Sequence, residues 1–299
     1  MQPALLIYNP AAGRRLAERK LPRLLRVLAL SGYQAEARAT AGPGDATVLA
    51  RQAACESIPA VFAMGGDGTV REVASGLRGS QTTLGILPGG STNVLARALR
   101  LPRDPLAAAR DVGSYQAVPF DVGLCGSEAF LMMASSGLDS RVLQRQHSPL
   151  KRILGRTGVL LLGISEWWRY AYPPLLGTAD GRPFSAPFVA VCNIPLYGGP
   201  FRLAPEARFD DGLLDLILFR GRGRATTLGF ARDLALGRHL SRRDVEASRA
   251  RSVRLTLPAG ACLQVDGDAL PHLGEEVELT ISKEKLRILS PAARPGSCK

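Results

Sequence analysis

Apolar runs of strand length alternate with helical patterns over the first 110 residues. Ala4–Tyr8, Tyr33–Thr40, Ile58–Met64 and Thr83–Leu87 read as strands. Between and after them, Leu21–Leu30, Asp45–Cys55, Val70–Leu77 and Ser91–Leu99 read as helices, each with an apolar face. Pro22 is expected in the first turn of its helix, where its missing N–H is not needed. Ser91 is expected to cap the last one. Regular strand–helix alternation predicts a mostly parallel sheet covered by helices on both faces.

Beyond Pro119 the texture changes. Short apolar runs recur at 119–124, 128–134, 186–193, 213–219, 252–257, 261–266, 277–281 and 285–289. Turn residues separate them, among them Gly126, Asp180-Gly181, Gly198-Gly199, Asp211-Gly212 and Asp266-Gly267. Two helical inserts stand near 150–171 and 225–237. This pattern predicts an antiparallel β-sandwich. The expected organisation is an α/β domain over 1–118 and a β-rich domain over 119–299, with a cleft between them and the last strand free to return to the first domain. There is no internal repeat, and disorder is expected only from Pro291 to Lys299.

Composition narrows the classes. A chain of 299 residues with 46% hydrophobic residues has room for two ordinary cores. Its net charge of +12 attracts anions: nucleic acid, lipid headgroups or phosphorylated small molecules. The excess is local, with ten arginines against Asp233, Asp244 and Glu246 between Arg220 and Arg254. A second cluster holds Arg141, Arg145, Lys151, Arg152 and Arg156. A solvated basic face explains such charge equally well. No zinc spacing, ribonucleoprotein string or basic zipper is present, so no nucleic-acid partner is expected. The five cysteines form no C-x-x-C pair, and four of them are expected as small core residues in a reducing compartment. The three histidines have no ligand spacing. No signal peptide is expected, and Val159–Ile164 is too short to span a bilayer. The expected location is the cytoplasm or a membrane surface.

The chemistry concentrates in Gly65-Gly66-Asp67-Gly68-Thr69, which follows a buried strand and opens a helix. Glycines there let backbone N–H groups approach an anion, and the helix N-terminus adds a favourable dipole. Thr69 is expected to cap the helix and donate to a phosphate. Asp67 repels phosphate, so it is expected to orient a metal, a water or a ribose hydroxyl. Neither the Walker A nor the Rossmann glycine pattern is present. Asn9-Pro10-Ala11-Ala12-Gly13 and Pro88-Gly89-Gly90-Ser91-Thr92-Asn93 follow two other strands. Each alone reads as an ordinary turn. Together, all three fall at strand carboxyl ends, where open α/β sheets bind ligands.

These strings resemble the catalytic domain of diacylglycerol kinases, and in particular the bacterial lipid kinases grouped with sphingosine and ceramide kinases. Further matches are Thr40…Gly44-Asp45-Ala46, Glu72, Ala96-Arg97, Phe120-Asp121-Val122-Gly123, Tyr197-Gly198-Gly199, Asp210-Asp211-Gly212-Leu213 and Val265-Asp266-Gly267-Asp268. Their order follows that family from about residue 3 to 290. The resemblance implies an NAD kinase/diacylglycerol kinase-like fold and phosphorylation of a lipid hydroxyl with ATP and Mg2+. It implies that Asn9, Gly13, Thr40, Gly65, Gly66, Asp67, Gly68, Thr69, Glu72 and Ser91 line the ATP site. Asp211 with the carbonyls of Arg208 and Leu213 would form a magnesium site. Asp268 would be the general base, with Asp266 and Asp121 as further catalytic candidates. The chain departs from the pattern at Val94, where the family carries an aspartate, and at Asp268, where it carries a glutamate. Read without the family, Asp266-Gly267 is a hairpin turn.

Residues 150–172 place arginines beside Trp167-Trp168-Arg169-Tyr170, a composition that suits a lipid–water interface but fits first an ordinary amphipathic helix packing Trp167 or Trp168 into the core. The expected partners are a membrane lipid and an anionic membrane surface at the inner face. A homodimer is left open. The alternatives are a kinase of a soluble acceptor such as NAD, and a lipid- or nucleotide-binding protein without catalysis.

Overall fold

The computed structural model describes residues 1–12, 16–145, 163–258, 260–270 and 274–291, without the side chains of 16–18. The chain forms two compact units, Met1–Val122 with Lys283–Lys299, and Gly123–Ser282. The second unit therefore starts later than the expected 119, and the C-terminal segment belongs to the first.

The first unit is built on one six-stranded sheet. Strands β1 (Gln2–Tyr8), β2 (Tyr33–Ala39), β3 (Ala60–Gly65) and β4 (Thr83–Pro88) are parallel. The last strand of the chain, β20 (Leu286–Ser290), pairs parallel with β4 and antiparallel with β5 (Gln116–Phe120). The order across the sheet is β2-β1-β3-β4-β20-β5. Successive strand residues point to opposite faces. Ala4, Leu6, Phe62 and Met64 thus share one face and pack with Leu24 and Leu28 of α1 (Leu16–Leu30) and Leu106 and Ala109 of α5 (Pro105–Asp111). Leu5, Ile7, Val61 and Ala63 are buried on the other face, beside α2 (Asp45–Cys55) and α3 (Asp67–Leu77). The short α4 (Val94–Ala98) follows β4.

Two helix starts differ from the sequence reading. Helix α1 begins at Leu16, so Pro22 lies inside it and not in its first turn. The stretch before Leu21 is rich in helix formers but carries no apolar period to reveal it. Helix α4 begins at Val94 with Asn93 at its N-cap, so Ser91 does not cap it.

The second unit holds two antiparallel sheets. One runs β10 (Arg182–Ala186), β9 (Leu175–Ala179), β16 (Ser252–Thr256), β19 (Glu276–Ile281), β6 (Gly123–Cys125), β7 (Glu128–Phe130). The other runs β15 (Val245–Ala250), β14 (Leu214–Phe219), β11 (Phe188–Cys192), β8 (Met133–Ser136), β17 (Leu263–Val265), β18 (Asp268–Leu270). A single core of Phe130, Leu175, Val191, Leu216, Val253, Val265 and Leu279 joins them into the expected sandwich. A two-stranded ribbon pairs β12 (Leu196–Tyr197) with β13 (Phe201–Arg202). Helices α6 (Leu138–Arg145) and α7 (Arg224–Ala235) decorate this unit. Of the insert expected near 150–171, residues 163–169 are helical and 150–162 lie outside the described residues. Cys125, Cys192 and Cys262 are buried as expected, whereas Cys55 is exposed. Among the described residues no helix is long and apolar enough to cross a membrane.

Candidate functional site

In the first unit the strand-end loops are tied to one another through their backbones. Asn9 N donates to Met64 O at 3.1 Å, Thr40 N to Tyr8 O at 2.9 Å, and Gly89 N to Gly65 O at 2.8 Å. Asn9, Thr40, Gly65 and Gly89 therefore share the carboxyl edge of the sheet. The Asn9 side chain folds over its own turn and accepts from Ala11 N at 2.9 Å. Glu72 stands one turn into α3, and its carbonyl accepts the Thr47 hydroxyl at 3.0 Å, which ties α2 to α3. Ser91 is exposed and, with Thr92, Asn93, Arg97 and Arg103, lines a pocket of ≈ 160 Å³. Gly13 lies outside the described residues.

Glycine is needed for close approach both between the two loops and within the first of them. A Cβ on Gly90 would stand 2.6 Å from Gly66 Cα, and a Cβ on Gly65 would stand 2.5 Å from Thr69 Oγ1. Asn93 sits in the left-handed region and clamps its own loop, with Oδ1 accepting from Gly90 N at 3.0 Å and Nδ2 donating to Gly90 O at 2.8 Å. This clamp uses up the residues expected as the start of a longer helix.

Asp67 has a structural partner. Its carboxylate accepts from Val94 N at 3.0 Å and Leu95 N at 3.2 Å, capping α4 from the neighbouring loop. Burial pushes this carboxyl above the ordinary aspartate value, and the α4 amides pull it back down. The charge that would repel a phosphate is thus spread into the N-terminus of α4. Helix α3 has Gly66 at its N-cap and no side-chain cap. Thr69 is buried in the first turn and does not cap, contrary to expectation.

Asp121 is set apart from these loops. Phe120 pairs with Leu286, and Arg287 with Thr83, so Asp121 lies at the edge where the parallel strands begin. The length of β4 separates that edge from the glycine loops, about 16 Å at ~3.3 Å per residue. The buried Asp121 carboxylate pairs with Lys285 Nζ at 2.9 Å. It does not join Asp67 in one cluster.

In the second unit Asp266-Gly267 is the turn of the β17–β18 hairpin, with positive φ at both residues as a type I′ turn requires. Asp266 is consumed in fixing it. Its carboxylate accepts from the N–H groups of Leu131, Met132 and Met133 at 2.7, 2.9 and 3.0 Å. These three bonds make Asp266 an anchor that ties the turn to residues 131–133. Asp268 follows the turn and is exposed.

A polar chain, buried at Ser135 and Gln264 and half-buried at Asp139 and Tyr197, stands behind this turn. Gly267 N donates to Gln264 Oε1 at 2.8 Å, and Gln264 Nε2 donates to Ser135 Oγ at 2.6 Å. The Ser135 hydroxyl donates to Asp139, which also receives the Tyr197 hydroxyl at 3.2 Å. Burial raises the Asp139 carboxyl above its usual value, and burial together with Asp139 raises Tyr197 well above its own. Every link has a donor and an acceptor, the condition under which such networks rigidify a core. Gln264, Ser135 and Asp139 escaped the sequence reading. Tyr197 was legible only as part of a motif.

The expected magnesium turn is formed as a loop. Gly212 has φ +72°, and Leu213 N donates to Asp211 Oδ1 at 3.1 Å. Asp211 is exposed, and the Arg208 side chain is turned to Asp210 at 3.1 Å, leaving the Arg208 carbonyl as its contribution. One carboxylate and two carbonyls would make an oxygen-only donor set, the kind a hard cation takes. Among the described residues no three His, Cys, Asp or Glu side chains gather as a metal cluster.

Comparison with known proteins covers almost the whole chain. Residues 3–125 match the diacylglycerol kinase catalytic domain, and residues 132–290 match the YegS C-terminal NAD kinase beta sandwich-like domain. A diacylglycerol kinase of Bacillus subtilis (strain 168) is 31% identical over 302 residues, 95% of this chain and 98% of that protein. A diacylglycerol kinase of Staphylococcus aureus (strain Newman) is 30% identical over 272 residues, 89% of this chain and 85% of that protein. The crystal structure of a putative diacylglycerol kinase from Bacillus anthracis str. Sterne superposes with a TM-score of 0.79 at 24% identity, covering 97% of this chain and 95% of that one. An NAD kinase from Archaeoglobus fulgidus, solved in complex with ATP, gives a TM-score of 0.52 at 12% identity, covering 97% and 94%. The structural likenesses show a shared fold.

Proposed function

The chain belongs to the diacylglycerol kinase family, and from that premise we propose that it transfers the γ-phosphate of ATP to a hydroxyl of a membrane lipid. The observation that carries this reading is the glycine-lined edge of the first unit. There the first turn of α3 has no side-chain cap, while the Asp67 charge is taken up by the amides of Val94 and Leu95. Such an edge suits a phosphate chain. Asn9, Thr40, Gly65, Gly66, Gly68 and Ser91 would surround the nucleotide, with Asp67 shaping the loops. Asp268, held by the hairpin that Asp266 anchors, would take the proton of the attacking hydroxyl. Asp211 with the carbonyls of Arg208 and Leu213 would hold Mg2+. Bound magnesium supplies positive charge to a reaction that rests on positioning and charge stabilisation.

Transfer of labelled γ-phosphate from ATP into a total lipid extract in mixed micelles tests the reading. A labelled lipid that disappears on chelation is the expected result. Label confined to a soluble product would overturn it. Val94, standing where the family carries an acid, favours a second reading, a nucleotide- and lipid-binding protein without turnover. ATP binding with no labelled product would select that one.

A further inference from the structure

Helical residues 163–169 have a buried side and an exposed side. Glu166 has a side chain only 2% exposed, and it pairs with Arg145 at 2.6 Å and Arg141 at 3.9 Å. Ile164 and Trp168 are each two residues from Glu166, roughly 200° around the helix, and are 53% and 60% exposed. The Trp168 backbone is fixed to the start of α7: its carbonyl accepts from Arg224 Nε at 3.0 Å and Nη2 at 2.6 Å. The Arg224 guanidinium lies over the Trp168 ring, 4.1 Å from its centroid. Helix α7 in turn buries Phe230 and Leu234 and leaves Leu228 and Leu236 exposed, one and three turns beyond Arg224. Arg169 follows Trp168 in sequence, Arg222 precedes α7 and Arg238 follows it, and all three are exposed. The one acid of α7, Asp233, is taken by Arg242 at 2.7 Å and Arg232 at 2.8 Å.

We propose that the exposed strip of Ile164, Trp168, Leu228 and Leu236 docks the protein on an anionic lipid bilayer. The choice of partner rests on the lipid-kinase reading, and the strip itself on exposure and charge. Four large apolar tips stand on and beside two helical segments that also carry exposed arginines, in a chain of net charge +12. Apolar tips reach the acyl boundary while guanidinium groups meet headgroup phosphates, an arrangement that both hydrophobic burial and charge favour. Tryptophan suits that boundary because its ring is apolar and its N–H is polar.

The test uses the full chain. It has two tryptophans, so Trp167→Phe leaves Trp168 as the only indole emitter, with the Arg224–Trp168 carbonyl bonds retained. On addition of vesicles of phosphatidylglycerol and phosphatidylcholine, Trp168 emission is expected to shift to the blue and the protein to sediment with them. Vesicles of phosphatidylcholine alone are expected to bind it at least about tenfold more weakly. Leu228→Glu adds a charge at an exposed site, leaves the melting temperature unchanged, and is expected to weaken partition at least about tenfold. Equal partition of Leu228→Glu and its parent, or sedimentation with no change in Trp168 emission, would overturn the proposal. So would a blue shift that grows with protein concentration in the absence of vesicles and is abolished by Leu228→Glu, which would assign the strip to a second copy of the chain. Phosphorylation of a short-chain diacylglycerol dispersed as monomers separates the two readings. Retention of that activity with unweakened vesicle binding in Leu228→Glu removes the docking strip and leaves the kinase. Strip-dependent binding with no lipid phosphorylated does the reverse.

Discussion

Asp67 and Val94 are joined across two glycine-rich loops, the carboxylate of one accepting the backbone N–H of the other at 3.0 Å. Val94 is thereby tied to the Gly65–Thr69 loop through its backbone amide. Asp67→Ala leaves the Val94 and Leu95 amides without an acceptor, at a cost of about 1–3 kcal/mol for each buried group. Urea unfolding is expected to show that loss, and calorimetric titration with ATP at least about a tenfold loss of affinity, ~1.4 kcal/mol.

Gly90 and Gly66 are expected to respond differently to alanine. A Cβ at Gly90 meets Gly66 Cα at 2.6 Å, whereas the nearest atom to a Cβ at Gly66 is 3.6 Å away. Gly90→Ala must push the loops apart and is expected to lower stability by about 1–3 kcal/mol. Gly66→Ala is expected to leave the melting temperature nearly unchanged and to weaken ATP alone, because its new methyl stands where a phosphate would approach. Thermal melts with and without ATP distinguish these outcomes.

Gln264→Leu removes the acceptor of Gly267 N and the donor to Ser135. The hairpin that carries Asp268 then loses its support from behind. Turnover is expected to fall about 10- to 100-fold, the scale of a small misplacement of a reacting group, with KM for ATP unchanged. Steady-state kinetics on both substrates check this, and Tyr197→Phe, further along the chain of bonds, is expected to have a smaller effect in the same direction.

Asp104 caps α5 through Ala107 N at 3.1 Å and pairs with Lys20 at 2.7 Å. The Lys20 hydrogen bond holds its carboxyl below the ordinary aspartate value. A depressed carboxyl contributes stability above its unfolded pKa of ~4, lost as pH falls through the lower folded value. Asp104→Ala is expected to cost about 1 kcal/mol as a lost cap. Asp104→Asn keeps the cap and loses only an exposed pair, so its deficit at pH 6 is expected to be under about 1 kcal/mol. Urea midpoints of wild type and Asp104→Asn should converge as the solution is acidified past ~4.

The fold was legible where apolar period and burial agree. Phe62 and Leu84 sit in strands buried on both faces, and such strands read as continuous apolar segments. Strand β15 leaves no mark in the sequence because Val245–Ala250 is largely exposed and has no alternation to show. Pro22 has the look of a first-turn proline because the apolar period starts at Leu21, while α1 begins at Leu16. At the site, the glycine strings were legible because close backbone approach demands glycine. The role of Asp67 was not, since its partners are amides 27 and 28 residues away. Asp266 was legible as a motif, but its three amide donors lie 133 to 135 residues distant, beyond the reach of any local pattern. The separation of Asp121 from the glycine loops follows from β5 running antiparallel to β20, a pairing that sequence spacing does not encode.

Asp268 carries the proposed proton transfer, so the decisive measurement is single-turnover transfer from ATP to diacylglycerol in mixed micelles, by wild type and Asp268→Ala, with ATP affinity measured for both. A general base at Asp268 predicts a loss of transfer of about 10²- to 10⁴-fold with ATP affinity unchanged. Equal transfer by the two proteins would contradict it.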